Sequence, residues 1–221
     1  MAYFDRRDTA PATIADSRAP GLYRAFAKRA FDLLVVALIA FPTFIVVAVA
    51  AAFVALDGKS PFYTQKRVGR NGCEFSILKL RSMVVNADEI LEDYLNQNPE
   101  ARAEWDEKQK LRHDPRITRV GHLIRKTSLD ELPQLWNVLN GDMSLVGPRP
   151  MMTCQKDLYP GQAYYDMRPG ITGLWQVSER NDTSFKQRAF YDNQYHQELS
   201  LGADLSIMVK TVSVVLKATG H

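Results

Sequence analysis

Two adjacent carboxylates, Asp130 and Glu131, stand in a basic stretch of the sequence just after Arg125 and Lys126. Apolar residues follow them at helical spacing, and Pro133 is favoured in a first helical turn, so a helix is predicted to begin beside the carboxylates. The N-terminus of a helix attracts phosphate through its free N–H groups and its dipole. A carboxylate held there can attack phosphorus, as in enzymes that form an aspartyl phosphate. The pair therefore indicates phosphate chemistry, with one carboxylate as nucleophile and the other as a partner for a metal ion or a proton.

The same residues also have a purely structural explanation. Ser128 and Glu131 have the spacing of a capping box, and Asp130 has the right chemistry to cap the helix itself. Gly141 would then provide the C-cap of that helix. From the residues alone, both interpretations of the carboxylates stay open.

Other cations have the spacing of phosphate ligands. Lys79 and Arg81 lie two residues apart in a predicted strand and therefore share a face, although a solvated strand edge is the alternative. Arg149 lies between Pro148 and Pro150, which stiffen the backbone and aim its guanidinium at an anion or nucleotide, although an ordinary surface arginine is the alternative. The four histidines are scattered without metal-ligand spacing, so a zinc site is not predicted.

An uncharged run of 24 residues, 33–56, precedes these motifs and is long enough to enter a bilayer. Pro42 lies inside the run and is expected to kink or break the helix. The two halves, 31–41 and 43–56, are each roughly 16–21 Å long at 1.5 Å per residue, which is too short to span a membrane. Basic residues flank both ends, which favours the cytoplasmic side for both. We therefore expect a re-entrant helix, with one plain transmembrane helix as the alternative.

The polar part is predicted to begin with a β-hairpin, formed by strands 62–68 and 74–81 around a turn at 69–72. Charged helices are predicted at 86–97 and 100–112, and a further helix at 184–199. An apolar helix is predicted at 203–217, where it packs in the core or lies along the membrane surface. Asp32 is expected at headgroup level beside Lys28 or Arg29.

The predicted fold class is α+β and mostly helical, with an N-terminal re-entrant membrane helix-break-helix, then a small hairpin or sheet and amphipathic interfacial helices. Three regions are expected: a flexible tail at 1–23, the re-entrant membrane helix at 24–58, and a cytosolic catalytic domain at 59–221.

Composition bounds these expectations. The chain has 221 residues and a net charge of +3, with a mean hydropathy too low for a protein made mainly of membrane helices. Cys73 and Cys154 lie far apart, which favours a reduced cytosolic domain over a single disulfide.

The chain resembles the bacterial sugar transferase family, the monotopic polyprenyl-phosphate sugar-1-phosphate transferases, also called phosphoglycosyl transferases, of the type that initiates exopolysaccharide synthesis. The resemblance lies in the segment broken by Pro42 and in four motifs, which are residues 75–83, 125–135, 141–150 and 168–181. It runs from about residue 24 to the C-terminus. The chain looks like the minimal catalytic form, without the multi-helix membrane domain that large members carry ahead of this unit.

The resemblance implies transfer of a sugar-1-phosphate from a UDP-sugar to polyprenyl (undecaprenyl) phosphate, with release of UMP. Asp130 would be the nucleophile that forms a covalent phosphosugar intermediate, and Glu131 would assist at the metal or in proton transfer. Arg125, Arg149 and Arg180 would bind substrate. The expected cofactor is Mg²⁺, with Asp130 as the one ligand carried over.

The resemblance also implies a location and partners. The protein is expected in the bacterial inner (cytoplasmic) membrane, with its catalytic domain on the cytosolic face, where it contacts inner membrane lipid. The sugar is expected to be galactose or glucose, a homodimer is consistent with the family, and no nucleic acid partner is expected.

Two other interpretations compete with this one. The first is a non-catalytic membrane-anchored scaffold of a polysaccharide assembly complex, in which the carboxylates are only helix caps. The second is a protein that crosses the membrane once and carries a periplasmic domain.

Overall fold

A computed structural model describes residues 22–178 and 184–216 of the chain. This part is mostly helical and contains two small sheets. The helices are α1 (Lys28–Val54), α2 (Ala87–Gln97), α3 (Pro99–Lys108), α4 (Arg119–Lys126), α5 (Leu135–Asn140), α6 (Ala163–Asp166), α7 (Leu174–Val177), α8 (Arg188–Glu198) and α9 (Leu201–Leu216). The strands are β1 (Phe62–Val68), β2 (Glu74–Leu80), β3 (Ser144–Val146) and β4 (Gly170–Thr172). The mostly helical fold with a small sheet is therefore confirmed.

The predicted hairpin is confirmed. Strands β1 and β2 pair antiparallel, with Phe62 opposite Leu80 at one end and Val68 opposite Glu74 at the other. The turn between them places Asn71 at φ 58° and the following glycine at φ 75°. Asparagine and glycine adopt this left-handed conformation at little cost, which is why the chain reverses at this point.

Strands β3 and β4 form a short parallel pair. The two backbones come so close that a Cβ on Gly170 would lie 2.1 Å from the backbone N of Gly147, and a Cβ on Gly147 would lie 2.4 Å from the carbonyl oxygen of Arg168. Side chains are therefore excluded here. The close approach fixes the start of the segment that carries Arg149.

Helix α1 continues through Pro42 without interruption. The structure therefore has one helical element where two short segments were predicted, and the re-entrant arrangement stays a prediction. With its flanking turns, the apolar segment extends over 35 residues, Tyr23–Asp57. Its most apolar 18-residue window has a mean hydropathy of 2.9, and 11 % of that window is buried. Phe41 and Phe44, on either side of the proline, are more than 70 % exposed. Length and composition suit this helix to a membrane.

The N-terminal part of α1 is held by the polar domain through buried carboxylates. Asp32 is 2 % exposed and accepts hydrogen bonds from the Ser144 hydroxyl at 2.7 Å and from the Leu145 backbone N–H at 3.2 Å. Asp32 was expected at headgroup level beside Lys28 or Arg29, whereas the structure buries it among these groups of the polar domain. The cost of burying a carboxylate is offset by such hydrogen bonds.

A second buried carboxylate, Asp204 of α9, joins the start of the described chain to its last helix. It accepts hydrogen bonds at 2.6 Å from the hydroxyls of Tyr23 and Tyr195 and at 2.7 Å from the Lys28 ammonium. Ile207, three residues on, is also buried, whereas the opposite side of α9 exposes apolar side chains. Helix α9 therefore packs one face into the core, as one of its two predicted placements required.

The C-terminal end of α1 contacts the same domain. Ala51 and Val54 pack in a cluster with Leu80 and Ile124. Arg81 donates a hydrogen bond to the Val54 carbonyl oxygen at 3.3 Å. Both ends of the apolar helix are thus attached to one polar domain.

The remaining helices lie close to their predicted positions. Helix α2 begins one residue after its predicted start, helix α3 ends four residues early at Lys108, and helix α8 is shorter than predicted at both ends. Residue 217, the last of the predicted segment 203–217, lies outside the described residues. The same holds for residues 1–21 of the predicted N-terminal tail.

Candidate active site

The carboxylate pair lies in a 3₁₀ turn, Leu129–Gln134, that leads into α5. Ser128 precedes the turn in the left-handed conformation, at φ 56°, and its side chain makes no capping hydrogen bond. Glu131 instead directs its carboxylate to cations of neighbouring elements. The capping-box explanation therefore does not describe this turn.

Lys79 of β2 bridges the two carboxylates. Its Nζ lies 3.0 Å from an oxygen of Glu131 and 3.8 Å from an oxygen of Asp130. The hairpin carries this lysine to the turn because β2 packs directly against it, with Leu80 and Leu129 in one apolar cluster. Strand β2, its cation Lys79 and the carboxylate pair were predicted separately from the sequence, and the structure brings them into contact.

Arg149 approaches from the other side. Its Nη2 lies 3.3 Å from the same Glu131 oxygen that Lys79 contacts. Pro148 is fully buried, and its carbonyl oxygen accepts a hydrogen bond from the Gly170 N–H at 2.8 Å. The arginine is therefore held by a rigid backbone fixed to the parallel sheet, as the flanking prolines predicted.

Burial and charge set the protonation behaviour of Asp130, which is 7 % exposed. Burial raises the pKa of this carboxyl above the ordinary aspartate value, and the neighbouring Glu131 raises it further. Lys79 opposes this most strongly, and Arg125 and Arg149 also lower the pKa. The pKa stays raised overall, so the carboxylate is more basic than usual and depends on its cations to remain ionised.

The other predicted substrate-binding arginines are placed differently. Arg125, in the last turn of α4, acts on Asp130 through its charge. Arg81 makes two hydrogen bonds to Asp57, at 2.7 and 2.8 Å, at the membrane-helix end of the hairpin. The structure thus brings Lys79 to the carboxylates and does not bring Arg81 there. Arg180 lies outside the described residues.

A small pocket opens beside the Glu131 side of the pair. Its lining consists of Arg67, Ile77, Lys79, Glu131, Gln134, Arg149, Pro150 and Ile171. Two of these polar residues, Arg67 and Gln134, were not singled out from the sequence. The available signals were weak: Arg67 shares a strand face with Gln65, and Gln134 is three residues after Glu131, a spacing that places two side chains on one face of a 3₁₀ turn.

The donor set of this site fits a magnesium ion only if substrate supplies further ligands. Within the described residues there is no group of three or more His, Cys, Asp or Glu side chains that could hold a metal. Asp130 and Glu131 offer carboxylate oxygens, which Mg²⁺ prefers. Because Mg²⁺ is commonly bound by one or two carboxylates together with substrate phosphates, the residues present are sufficient for that mode of binding.

Comparison with known proteins places these residues in a family context. The model of the bacterial sugar transferase family matches residues 23–218. A UDP-galactose-lipid carrier transferase of Erwinia amylovora is 52 % identical over 200 residues, which cover 88 % of this chain and 41 % of that protein. The exopolysaccharide production protein ExoY of Rhizobium meliloti is 48 % identical over 199 residues, which cover 88 % of this chain and 87 % of that protein.

A third relative, the undecaprenyl-phosphate galactose phosphotransferase of Salmonella typhimurium, is 48 % identical over 200 residues, or 88 % of this chain and 41 % of that protein. The chain thus spans about two fifths of the Erwinia and Salmonella proteins and most of ExoY. The predicted resemblance is confirmed, and the motifs that carry it contain the carboxylate pair and the cations around it. The chain belongs to the bacterial sugar transferase family.

Proposed function

We propose that this protein transfers a sugar-1-phosphate from a UDP-sugar to undecaprenyl phosphate and releases UMP, as the first membrane step of exopolysaccharide or glycoconjugate synthesis. The observation that carries the proposal is the buried Asp130, 3.8 Å from Lys79 and flanked by Glu131 and Arg149. A lone helix cap does not need this concentration of cations, whereas a carboxylate that meets a diphosphate does.

The reaction proceeds in two displacements at one phosphorus atom. In the first, a carboxylate oxygen of Asp130 forms a bond to the sugar-bearing phosphorus while the bond from that phosphorus to the oxygen of UMP breaks, and UMP leaves with the electron pair. In the second, an oxygen of undecaprenyl phosphate attacks the same phosphorus and the aspartyl oxygen leaves as a carboxylate. Neither displacement consumes a net proton, and the carboxylate is regenerated.

Lys79 and Arg149 stabilise the charge that develops on the phosphate oxygens, because both cations are already held within 3.3 Å of the adjacent Glu131. Glu131 keeps the two cations in place while substrate is absent. We propose Asp130, with Glu131 beside it, as the protein ligands of Mg²⁺, which would neutralise charge on the diphosphate when bound. The charge of Arg125 also lowers the pKa of the nucleophile.

We also propose that α1 is re-entrant, so that the protein lies on the cytosolic face of the inner membrane. Both ends of the helix contact the same polar domain, through Asp32 at one end and Ala51 and Val54 at the other. Attachment of both ends to one polar domain supports placing both ends on one side of the bilayer. Pro42 lies between these ends, among exposed apolar side chains.

The proposal is tested by UMP release from UDP-galactose and UDP-glucose by the full chain in detergent, with undecaprenyl phosphate as acceptor. Galactose is tested first because two relatives carry it in their names. Asp130→Asn should lose about 10³-fold or more of the rate, since the amide cannot serve as the nucleophile. The matched control is Asp93→Asn on the exposed face of α2, which should keep the wild-type rate.

Without acceptor, mass spectrometry should find a hexose phosphate on Asp130. Wild-type turnover by Asp130→Asn, with no adduct, would exclude the covalent route. A wild-type protein that releases no UMP from any UDP-sugar would instead favour a scaffold role.

A further inference from the structure

The pocket beside Glu131 contains a guanidinium that lacks an anionic partner. Arg67 donates to the Pro150 carbonyl oxygen at 3.3 Å and to the Gln65 side-chain oxygen at 2.5 Å, while its buried Nε has no hydrogen-bond partner. Within residues 22–178 and 184–216, Arg67 makes no ion pair within 4.0 Å. A buried charge that meets only neutral acceptors is costly unless an anion binds to it.

Like charges converge on the same place. Burial and the nearby Arg149 lower the pKa of Arg67 to about 10, and burial together with Arg149 and Arg67 lowers the pKa of Arg188 to about 9. Arg188 stacks on the rings of Trp175 and Phe185, and its Nε is also buried without a partner in the described structure. Glu131 acts on Arg67, and Asp192 on Arg188, in the opposite sense. The repulsion among the three arginines nevertheless favours a site that an anionic ligand would stabilise.

A buried amide completes the pocket. Gln134 is 2 % exposed, lines the pocket, and its Nε2 has no hydrogen-bond partner within the described ranges. An N–H donor of this kind normally finds a partner when buried. Because residues three apart eclipse in a 3₁₀ turn, Gln134 lies on the Glu131 side of the turn and not on the side of Asp130.

The position of the pocket favours the water-soluble substrate. Arg67 is five residues along β1 from Phe62, roughly 16 Å at the rise of a strand, and the Phe62 end is the end next to the apolar helix. The apolar cluster on which the Arg67 end rests comprises Val68, Met151, Tyr159, Tyr164 and Phe185 and includes no residue of α1. A ligand in the pocket is therefore displaced along the hairpin from the C-terminal end of α1.

We propose that Arg67 and Gln134, together with Arg149, form the subsite that binds the phosphate of the leaving nucleotide. This assignment rests on the proposed function and adds two binding residues to it. With the sugar-bearing phosphate at Asp130, the nucleotide phosphate lies on the Glu131 side, where the Nε of Arg67 and the Nε2 of Gln134 donate to its oxygens. The guanidinium then gains an anion in direct contact, whereas Glu131 acts on it only at longer range.

The experiment measures UMP binding to the full chain in detergent by titration calorimetry. Arg67→Gln and Gln134→Met should each weaken UMP binding by about 10-fold or more, the usual effect of losing hydrogen bonds to a charged group. Arg70→Gln, which removes an exposed arginine at the turn of the same hairpin, is the matched control and should bind UMP within about twofold of wild type. If Arg67→Gln does not fold, Arg67→Lys keeps the charge but lacks the Nε donor and should still weaken binding.

Two further measurements separate this subsite from a structural role and from the acceptor. Uridine, which lacks the phosphate, should bind the variants and the wild type equally; an equal loss of uridine and UMP binding would show a structural role and overturn the assignment. The KM for undecaprenyl phosphate should not change; a rise in that KM with unchanged UMP binding would assign the pocket to the acceptor and overturn the proposal.

The outcomes also separate the subsite from the proposed function. Weakened UMP binding in the variants, with no UMP release from any UDP-sugar by wild type, would support the subsite and refute the transfer reaction. Wild-type UMP binding by folded Arg67→Gln and Gln134→Met, or absence of UMP binding by wild type, would overturn the subsite whatever the turnover.

Discussion

The carboxylate of Asp32, within the apolar helix, accepts a hydrogen bond from the hydroxyl of Ser144 at 2.7 Å. This contact joins a segment suited to lipid to the first residue of the parallel sheet that positions Arg149. A charged residue in an apolar run is therefore part of the domain interior, and the anchor and the site share one packed structure.

Replacing this carboxylate should destabilise the fold. Asp32→Ala removes two acceptors and leaves the Ser144 hydroxyl and the Leu145 N–H buried without partners, at a cost of roughly 2–4 kcal/mol. Thermal unfolding in one fixed detergent should show a lower midpoint, and Ser144→Ala should show a smaller decrease. Glu89→Ala, on exposed α2, is the control. Equal midpoints for Asp32→Ala and wild type would mean that this contact contributes nothing to stability.

Lys79 of β2 and Arg81, which directly follows the strand, should differ in function. Lys79→Gln should reduce turnover by about 10²-fold or more, because it removes a charge that contacts both carboxylates. Arg81→Gln should change turnover by less than about threefold and lower the thermal midpoint instead, since its partners are Asp57 and Val54. Both are measured as initial rates of UMP release with unfolding curves in parallel. Equal losses of turnover would mean that Arg81 also reaches substrate.

The acid limit of the reaction should follow Asp130. Because burial raises its pKa, the carboxylate becomes protonated at a higher pH than an ordinary aspartate, and the rate should fall as pH decreases through that raised value. Removal of Lys79, the strongest influence that lowers this pKa, should move the limit to still higher pH. Exchange of labelled UMP into UDP-sugar, measured against pH, reports the donor half-reaction alone. Lys66→Gln, at an exposed lysine of the hairpin, should leave the limit unchanged; a limit that does not move in Lys79→Gln would contradict the assignment.

The contact between β3 and β4 should tolerate no side chain. Gly147→Ala places a methyl group 2.4 Å from the Arg168 carbonyl oxygen, where backbone must shift to admit it, at a cost of about 1–3 kcal/mol. Turnover should also fall, because the shift displaces Arg149. Gly202→Ala, whose Cβ meets nothing within 4 Å, should be neutral or slightly stabilising. If Gly147→Ala and Gly202→Ala unfolded at the same midpoint, the close packing of β3 and β4 would be refuted.

The proposed topology can be tested at the two cysteines. Cys73 and Cys154 are both exposed and free on the polar domain. An impermeant thiol reagent should leave them unlabelled in intact cells and label them after lysis. Labelling from outside intact cells would place the domain in the periplasm and would support the protein that crosses the membrane once.

Local patterns in the sequence predicted the hairpin well. Alternating residues and the turn at Asn71 are enough to define β1 and most of β2, because the register of a hairpin follows from its turn. The helix end at Gly141, which adopts φ 90°, was predicted for the same reason. The predicted helix start beside the carboxylates was wrong, because a 3₁₀ turn, Leu129–Gln134, precedes α5 and the α-helix begins only at Leu135. These features depend on neighbours in the chain.

Long-range contacts decided what the sequence left open. Whether Glu131 caps a helix or meets cations depends on Lys79, 52 residues away, and on Arg149 beyond the turn. Asp32 accepts from Ser144, and Asp204 from Lys28, across more than 100 residues of chain. Sequence periodicity gives no signal for contacts at that separation. From the sequence alone, Gln134 is one residue of an ordinary helical segment. Only the fold shows that it lines the same pocket as Arg67 of β1.

The attachment of α1 at both of its ends has a mechanical consequence. A domain on a single flexible stalk can tilt or reach toward its lipid partner, whereas one fastened at two points has no hinge about which to swing. Under the proposed topology, the height of Asp130 above the acyl chains is therefore a constant of the fold. The polyprenyl chain must lift its phosphate to that height, so that bilayer thickness and headgroup packing, more than motion of the protein, would govern how often the acceptor arrives.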